Sequence, residues 1–242
     1  MYLQADASQL EWRVAVELSQ DSVAIKELLE KQDVHSNNQI TFNLPTRLIS
    51  KTYLFRTIFR GSGWSFAHDP NFLHVSSSPS YWDGINEKFY RKYDGLNRQH
   101  FLWKDLVLEG QPITSPLGRE WLILYDGERI PWTVLSNYPV QGTGADIMTL
   151  ARVVFRKRLK EKSWGHKILL VTSVHDSIIV DCPKEYLTDV ARLFYEVFAS
   201  LQQNIKSIWG YNWIVPLECE CKVGQTMRNM RKIVTLPLDK CG

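Results

Sequence analysis

The run YLQADASQLEWR at residues 2–13 decides the fold. Its first part is typical of a short strand that stops at Asp6, and residues 8–11, Ser-Gln-Leu-Glu, have the form of a helix capping box. Apolar residues then recur at every fourth position from Leu10 to Leu18, as on one face of a helix. We therefore expect a strand that turns through a one-residue corner into a helix and leaves Asp6 at the strand end.

The composition indicates a globular protein. A chain of 242 residues, 44% apolar and 23% charged, can build one large or two modest domains, which excludes disordered, fibrous and repeat proteins. The net charge of +3 neither requires nor excludes a nucleic-acid partner. No apolar run reaches the roughly 18 residues that span a bilayer, so we expect a soluble, cytoplasmic protein with no membrane partner.

The four cysteines have neither metal-site nor redox spacing. They are Cys182, Cys219, Cys221 and Cys241. Cys219 and Cys221 alternate in a strand-like run, so we expect them on one face of a strand, and we interpret all four as reduced thiols.

Strands are expected at both ends of the chain and helices in the middle. Two β-runs, 167–174 and 177–181, are separated only by His175 and Asp176, which predicts a tight hairpin with an acid at its tip. Other expected elements are helices at 80–109 (broken near 94–95), 145–160 and 185–208, a strand at 214–223, and short strands around Asp126-Gly127. The pattern predicts an α+β fold in which a sheet from both chain ends carries a helical insertion near residues 21–130.

Asp6 at a strand end and Asp176 at a hairpin tip are candidates for one site, because a sheet could bring them together. Two converging carboxylates need a cation to offset their repulsion, and a pair of Mg²⁺ ions about 3.5–4 Å apart is the usual solution in phosphoryl transfer. Acids at strand ends and turns are also commonly solvated, so the residues alone leave both interpretations open.

Arg47, Lys51, Phe55 and Phe59 stand four residues apart, along one stripe of a predicted helix. Two cations followed by two rings suit a nucleoside triphosphate, whose phosphates the cations would hold while the rings stack near base and sugar. An amphipathic helix with its cations in water and its Phe residues in the core fits the spacing equally well.

The run NYPVQGTGAD at residues 137–146 leads into a predicted helix. Gly142 and Gly144 permit close backbone approach, and the amides of Asn137 and Gln141 can contact base edges or sugars in a minor groove. The same amides can equally cap and bridge local turns.

Together these residues resemble the family A DNA polymerases, the DNA polymerase I family. Residues 6–13 resemble motif A, Arg47-x3-Lys51-x3-Phe55 resembles motif B, His175-Asp176-Ser177 resembles motif C, and residues 137–146 match the segment between B and C. The order and separations agree from residue 2 to about residue 224.

The resemblance implies a palm with an antiparallel β-sheet and packed helices, interrupted by a mostly helical fingers subdomain. The implied boundaries are palm at 1–21, fingers at 22–130 with a motif B helix at about 46–60, and palm at 131–242 with a motif C hairpin at about 167–182. A thumb and an exonuclease domain are expected to be absent from this chain.

It also implies that Asp6 and Asp176 bind two catalytic Mg²⁺ ions, with the backbone carbonyl of Ala7 as a further ligand. The 3′-hydroxyl of a primer would attack the α-phosphate of a deoxynucleoside triphosphate, and pyrophosphate would leave. Lys51 is implied to bind the leaving phosphates and to protonate the pyrophosphate.

Further contacts follow from the same resemblance. The implied nucleotide contacts are Arg47, His35, Phe55 and Phe59. Glu11 resembles the steric gate that excludes a ribose 2′-hydroxyl, and its alternative role is to be the capping partner of Ser8. The implied contacts to primer-template DNA are Arg13, Asn137, Gln141 and His175.

Five positions depart from the family pattern. Phe59 stands in place of Tyr, Arg56 and Arg60 in place of Gly, Thr133 in place of an Arg that contacts the primer, and Ser177 in place of Glu. Arg56 and Arg60 could grip template phosphates as DNA contacts, or could alter how the helix opens and closes.

We therefore expect the palm and fingers of a DNA-directed DNA polymerase of viral or phage type, in the host cytoplasm if it is viral. Because the chain begins almost at motif A, we expect a split polymerase whose separate N-terminal fragment supplies the thumb and can carry an exonuclease. The alternatives are a catalytically silent DNA-binding subunit of a replication complex, and a non-enzymatic DNA-binding module that uses the basic helices at 47–60 and 152–162.

Overall fold

The computed structural model describes residues 1–233, which form two compact units. The sheet unit comprises residues 1–10, 144–208 and the described residues from 217 onward, and the helical unit comprises residues 11–143 and 209–216. The helices of the described chain are α1 (Leu10–Ser19), α2 (Ser22–Leu29), α3 (Val34–Thr41), α4 (Arg47–Thr57), α5 (Gly63–Ala67), α6 (Pro79–Lys92), α7 (Asp94–Leu108), α8 (Trp132–Glu161) and α9 (Leu187–Trp209). The strands are β1 (Tyr2–Ala7), β2 (Ile113–Thr114), β3 (Glu120–Trp121), β4 (Leu169–Val174), β5 (Ser177–Asp181), β6 (Cys219–Gly224) and β7 (Arg231–Lys232).

The sheet unit is built on an antiparallel sheet whose described strands follow the order β4-β5-β1-β6-β7. β1 lies in the centre, and its register sets Asp6 opposite Ser177 on β5 and opposite Glu220 on β6. Leu3 and Ala5 are buried, so Asp6, one residue further on, lies on the other face. The α+β fold class and the assembly of a sheet from both ends of the chain are confirmed.

Helix α9 packs against the buried face of this sheet. Phe194 of α9 stacks on Phe155 of α8 with ring centroids 4.0 Å apart. On β6, the Cys221 sulfur lies 4.0 Å from the carbonyl oxygen of Ala191 in α9. Apolar contact with α9 therefore fixes which face of the sheet is buried.

The cysteine predictions hold for the described residues. Cys219 and Cys221 are both buried, opposite Ala7 and Ala5 of β1, which confirms that they share one face. The free, buried thiols of the described chain are Cys182, Cys219 and Cys221, whereas Cys241 lies outside the described residues.

Aromatic packing forms the core of the helical unit. Tyr53 of α4, Phe66 of α5 and Trp82 of α6 are fully buried, and their ring centroids lie 5.1 to 6.1 Å apart. Phe72, in the loop after α5, packs edge-on against Trp82 at 5.2 Å. These large buried rings join α4, α5 and α6.

Asp21 links two helices of this unit. One carboxylate oxygen caps α2 by accepting the N–H of Ala24 at 2.9 Å, and the other accepts the N–H of Gly95 at the start of α7 at 2.7 Å. A Cβ at Gly95 would lie 2.7 Å from the Asp21 Cα, so this contact requires glycine. The predicted break between α6 and α7 is confirmed.

The strand expected at 214–223 begins only at Cys219. The reason is the buried Glu17, whose carboxylate accepts the backbone N–H groups of Ile214 at 2.9 Å and Val215 at 2.7 Å. Backbone groups that bond to a side chain are not available to a ladder, and Pro216 has no N–H to donate.

The strands expected around Asp126-Gly127 are wrong. Within residues 1–233 the corresponding hairpin is β2–β3, whose turn contains Gly118 at φ 81°. Gly127 also has positive φ, 90°, but no strand of the described chain flanks it. The dipeptide therefore predicted a turn correctly and a hairpin incorrectly.

Helix α8 begins at Trp132, well before its expected start at residue 145, so the run at 137–146 lies inside the helix, Pro139 included. Tertiary packing overrides the weak helix propensity of this run. Val140 is buried, and a Cβ at Gly142 would lie 2.4 Å from a ring carbon of Trp121. Gly142 thus allows α8 to pack closely against Trp121 of β3.

Two kinds of structure are not found among residues 1–233. No helix there is long and apolar enough to cross a bilayer. Nor is an exonuclease-like region found beside the two units.

Candidate active site

The end of β1 and the tip of the β4–β5 hairpin lie side by side in the sheet unit. The backbone N–H of Ala7 donates to the carbonyl oxygen of Asp176 at 2.8 Å. His175, the other tip residue, has φ 51°, a conformation that tight two-residue hairpin turns use. The predicted hairpin is confirmed, and the fold brings Asp6 and Asp176 close enough to interact.

The two carboxylates interact electrostatically. Burial raises the pKa of Asp6, and the negative charge of Asp176 raises it further. Two neighbours lower the pKa of Asp6. The Nζ of Lys222 lies 3.8 Å from Oδ2 of Asp6, and the Gln4 amide donates to the same oxygen at 3.2 Å. The Asp6 side chain is 32% exposed, so water or an ion can reach it.

Glu220 and Lys222 are neighbours of Asp6 that the motifs did not identify. In register, Glu220 pairs with Asp6 and Lys222 with Gln4, so both charges lie on the Asp6 face of the sheet. The sequence of β6 does indicate that these two charged residues share a face, because they alternate with buried cysteines.

Glu220 lies near Asp6, but the acids do not form a metal-binding group of three. Among residues 1–233, no group of three or more His, Cys, Asp or Glu side chains is arranged to hold a metal ion. Ser177, which the resemblance places where the family has Glu, is buried and donates its hydroxyl to the Val174 carbonyl at 2.9 Å. A cation at Asp6 and Asp176 would therefore need backbone or water oxygens as well.

In the helical unit, α4 carries Arg47, Lys51 and Phe55 along one face. Arg47 forms a two-pronged ion pair with Asp33, with Nε–Oδ2 at 2.7 Å and Nη2–Oδ1 at 3.1 Å. The guanidinium holds the pKa of Asp33 well below its usual range. Lys51 is exposed, and its Nζ lies 5.9 Å from the centroid of the Phe55 ring.

His35 is almost completely buried at 2% exposure, and its ring centroid lies 6.3 Å from that of Phe55. Burial lowers the pKa of His35 to about 4, and the positive charge of Arg47 contributes, so the ring is neutral at pH 7. Its Nδ1 has no hydrogen-bond partner within the described chain. A contact of this neutral, buried ring with a phosphate stays a prediction.

The helix expected at about 46–60 is shorter, because α4 ends at Thr57. The N–H of Gly61 donates to the Arg56 carbonyl at 3.0 Å, and Arg60 has φ 60°, which together form the Schellman type of helix end. Phe59 therefore lies two residues beyond the end of α4, and its contact with a nucleotide stays a prediction.

The Arg60 guanidinium is held in an aromatic cage. It lies 4.2 Å from the ring centroid of Tyr90, 4.9 Å from that of Trp132 and 5.1 Å from that of Phe101. Burial lowers the pKa of Arg60 without removing its charge. The rings thus stabilise a partly desolvated cation.

Two polar groups complete the cage. Arg60 donates from Nε to Nδ1 of His100 at 2.9 Å and from Nη2 to Oδ1 of Asn97 at 2.7 Å. Burial lowers the pKa of His100 to about 3, so its ring is neutral and Nδ1 can accept. These contacts offset the roughly 1 kcal/mol that a non-glycine residue costs in the left-handed conformation.

Arg56 is also engaged within the helical unit. It pairs with Asp69, and its guanidinium lies 6.0 and 5.6 Å from the ring centroids of Phe66 and Phe72. Arg56 and Arg60 thus both contribute to packing, and their contacts with DNA stay a prediction.

Glu11 and Gln141 meet in the helical unit, where Nε2 of Gln141 donates to Oε1 of Glu11 at 3.2 Å. Asn137 lies one turn before Gln141 on the same face of α8. Arg13 is only 7% exposed and donates to the Pro216 carbonyl. Of the residues expected at a minor groove, Asn137 and Gln141 thus share one face of α8, whereas Arg13 is mostly buried.

The first turn of α1 starts one residue later than a helix capped by Ser8 would. Gln9, which should begin the helix, has φ 52°, and α1 begins at Leu10. Glu11 stands in the first turn of α1, and its Oε1 accepts from Nε2 of Gln141.

Comparison with known proteins identifies a family. The family model described as DNA polymerase family A matches residues 1–229. DNA polymerase theta of Caenorhabditis elegans is 23% identical over 232 residues, which cover 94% of this chain and 13% of that protein. The thermostable DNA polymerase I of Thermus aquaticus is 27% identical over 238 residues, which cover 91% of this chain and 26% of that protein.

The chain spans about a third or less of the length of the curated relatives it matches. Among solved structures, the POL domain of Pol1 from M. smegmatis, in complex with DNA primer-template and dNTP, matches with a TM-score of 0.77 at 19% identity. That match covers 93% of this chain and 39% of the other, and it supports the fold.

Replacing Arg60 is expected to destabilise the helical unit. Arg60→Ala removes the cage contacts and the donor to His100 while keeping a Cβ in the left-handed conformation, so the free energy of unfolding should fall by about 2–3 kcal/mol. Arg60→Gly loses the same contacts but relieves the backbone strain, so it should be about 1 kcal/mol more stable than the alanine variant. Urea unfolding followed by tryptophan fluorescence measures both differences.

Arg91→Ala, at an exposed position of α6, is the control and should stay within about 0.5 kcal/mol of the unchanged chain. An Arg60→Ala variant as stable as the unchanged chain would contradict the role of the cage.

Proposed function

This chain belongs to DNA polymerase family A, and we propose that it carries the site at which a DNA-directed DNA polymerase adds deoxynucleotides to a primer 3′-hydroxyl. The main support is the position of Asp6 beside Asp176, at the end of β1 and the tip of the hairpin. The family match extends over both residues. The proposed partners are primer-template DNA and deoxynucleoside triphosphates.

We propose that Asp6 and Asp176 hold two Mg²⁺ ions, with the Ala7 carbonyl as a further ligand. The donor set fits, because Mg²⁺ prefers oxygen ligands and because a divalent cation relieves the repulsion that raises the pKa of Asp6. When bound, such ions activate the attacking hydroxyl and stabilise the leaving oxygen. The Lys222 ammonium, 3.8 Å from Asp6, offsets part of the same negative charge.

Lys51 is the proposed main contact of the triphosphate. Its ammonium is exposed, whereas Arg47 has to exchange Asp33 for phosphate before it can contribute. An ammonium with three rotatable donors can follow the phosphates as they leave and can give a proton to the pyrophosphate. Phe55 beside it offers a half-buried ring to the nucleotide.

Glu11 is proposed to select the sugar. The hydrogen bond from Gln141 holds its carboxylate in one position, and a fixed side chain can exclude a ribose 2′-hydroxyl by volume. The same bond keeps the Gln141 amide next to Glu11, so sugar selection and minor-groove contact are proposed to share one pair of side chains.

The remaining proposed contacts with primer-template DNA are Asn137, His175 and Arg13. Arg13 is buried and bonded to the Pro216 carbonyl, so it would reach DNA only after a rearrangement. The separate N-terminal fragment with a thumb, the phage-type origin and the cytoplasmic location stay predictions. A catalytically silent DNA-binding subunit is the alternative that the next experiment excludes or supports.

Primer extension with Mg²⁺ and four deoxynucleotides tests the activity. Asp6→Asn or Asp176→Asn should lower the extension rate on the order of 10³-fold, because each removes a charge that positions the reacting groups, while DNA binding survives. Burial and Asp176 already disfavour the ionised form of Asp6, so Asp6→Asn should not lower the melting temperature.

Asp189→Asn, at an exposed position of α9, makes the same chemical change in the sheet unit and should leave extension unchanged. If the full chain, assayed alone and with any natural partner, extends no primer, the activity is refuted and the silent DNA-binding subunit is favoured.

Sugar selection gives a second test. Glu11→Ala should raise ribonucleotide incorporation roughly tenfold to a hundredfold, because the alanine leaves room for a 2′-hydroxyl. Glu11→Gln keeps both the volume and the oxygen that accepts from Gln141, so it should retain discrimination. Single-nucleotide extension with each dNTP and rNTP measures the ratio, and unchanged discrimination in Glu11→Ala would limit Glu11 to a structural role.

A further inference from the structure

A cleft of about 610 Å³ lies in the sheet unit, between the C-terminal half of α8 and strand β4. Four cations of α8 and the consecutive strand residues 170–173 line it. Successive side chains of a strand point to opposite faces of its sheet. A cleft lined by four residues in a row therefore follows the edge of β4 and not one face.

The edge of β4 is open. β4 is the outermost strand of its sheet, and no other described strand pairs with its outer side. Leu169, Val171 and Val174 are 54%, 44% and 47% exposed, and a bulge leaves Val171 without an opposite residue on β5. An exposed apolar edge with free N–H and C=O groups is a template for another strand.

The opposite wall of the cleft is positively charged. Arg152, Arg156, Lys157 and Lys160 are exposed, and none of them pairs with an acid in the part of the chain that the structure describes. Arg152 donates to the Ser173 hydroxyl at 3.3 Å, which joins the two walls. The lining thus contains four cations and no acidic residue.

We propose that this cleft binds an extended, acidic peptide segment of a partner protein, which adds a strand to the open edge of β4. Its backbone pairs with β4, its acidic side chains meet the cations of α8, and its apolar side chains cover Val171 and its neighbours. The proposal does not rest on the polymerase activity proposed above.

A peptide uses all three features of the cleft, whereas a nucleic-acid strand uses one. Phosphates would pair with the cations of α8 but would leave the exposed valines and the free backbone groups of β4 uncovered. An acidic strand with alternating apolar residues matches the charge, the apolar edge and the hydrogen-bonding groups together.

The probe is a fluorescent peptide of about seven residues that alternates glutamate and valine, a length that matches one strand. Anisotropy titration with the full chain should give saturable binding, and hydrogen exchange of the amides at 169–174 should slow. The peptide with lysine in place of glutamate should not bind. Two further peptides carry N-methyl groups, each along one of the two edges of the extended peptide. The peptide whose methylated edge faces β4 loses the N–H donors that pair with β4, so it should bind on the order of tenfold more weakly than the unmethylated peptide.

Charge reversal tests the α8 wall. Arg156→Glu with Lys160→Glu should weaken peptide binding by about tenfold or more, because attraction becomes repulsion at two exposed positions. The matched control is Arg158→Glu with Lys162→Glu, which makes the same charge change at exposed residues near and just after the end of α8 that do not line the cleft. It should change binding by no more than about twofold.

The proposal is overturned if the peptide does not bind the unchanged chain. It is also overturned if the peptide binds but neither N-methylation nor the Arg156→Glu, Lys160→Glu variant weakens that binding. A fluorescent single-stranded oligonucleotide serves as the competing probe. If it binds where the peptide does not, and the double variant releases it, the cleft belongs to nucleic acid and the peptide proposal is refuted.

Discussion

The hydrogen bond from the Ala7 N–H to the Asp176 carbonyl, 2.8 Å long, holds the end of β1 against the tip of the hairpin. Two ladders fix it, since β1 pairs with β5 from Tyr2 to Asp6 and with β6 from Tyr2 to Ala7. A slip of one residue would turn Asp6 to the buried face, where Leu3 and Ala5 lie. The proposed chemistry therefore depends on the register of three strands, and apolar burial against α9 maintains that register.

The helical unit shows how an arginine is accommodated where the end of a helix requires a left-handed residue. The end of α4 requires a left-handed residue, for which glycine is the ordinary choice, and Arg60 takes that conformation at φ 60°. The backbone cost is offset by three aromatic rings and two hydrogen bonds to the guanidinium. Arg60 thus packs within the helical unit, and its contact with DNA stays a prediction.

Local patterns predicted the α+β class, the hairpin at His175-Asp176 and the stripe of α4, because each depends on side-chain periodicity or turn chemistry within a few residues. The late start of β6 and the early start of α8 were not predictable in this way. The first follows from Glu17, which lies about 200 residues away in sequence and takes two backbone donors, and the second from packing against Trp121. Lys222 and Glu220 became visible as neighbours of Asp6 only when the pairing of β6 with β1 was known.

The central claim is that Asp6 and Asp176 form one cation site. Electron paramagnetic resonance of Mn²⁺ titrated into the full chain measures it without DNA or nucleotide, since bound and free Mn²⁺ give different signals and Mn²⁺ accepts the oxygen ligands that suit Mg²⁺. The account predicts binding that Mg²⁺ displaces and that the Asp6→Asn, Asp176→Asn double variant weakens by about tenfold or more. Equal Mn²⁺ binding by the double variant and the unchanged chain would contradict it.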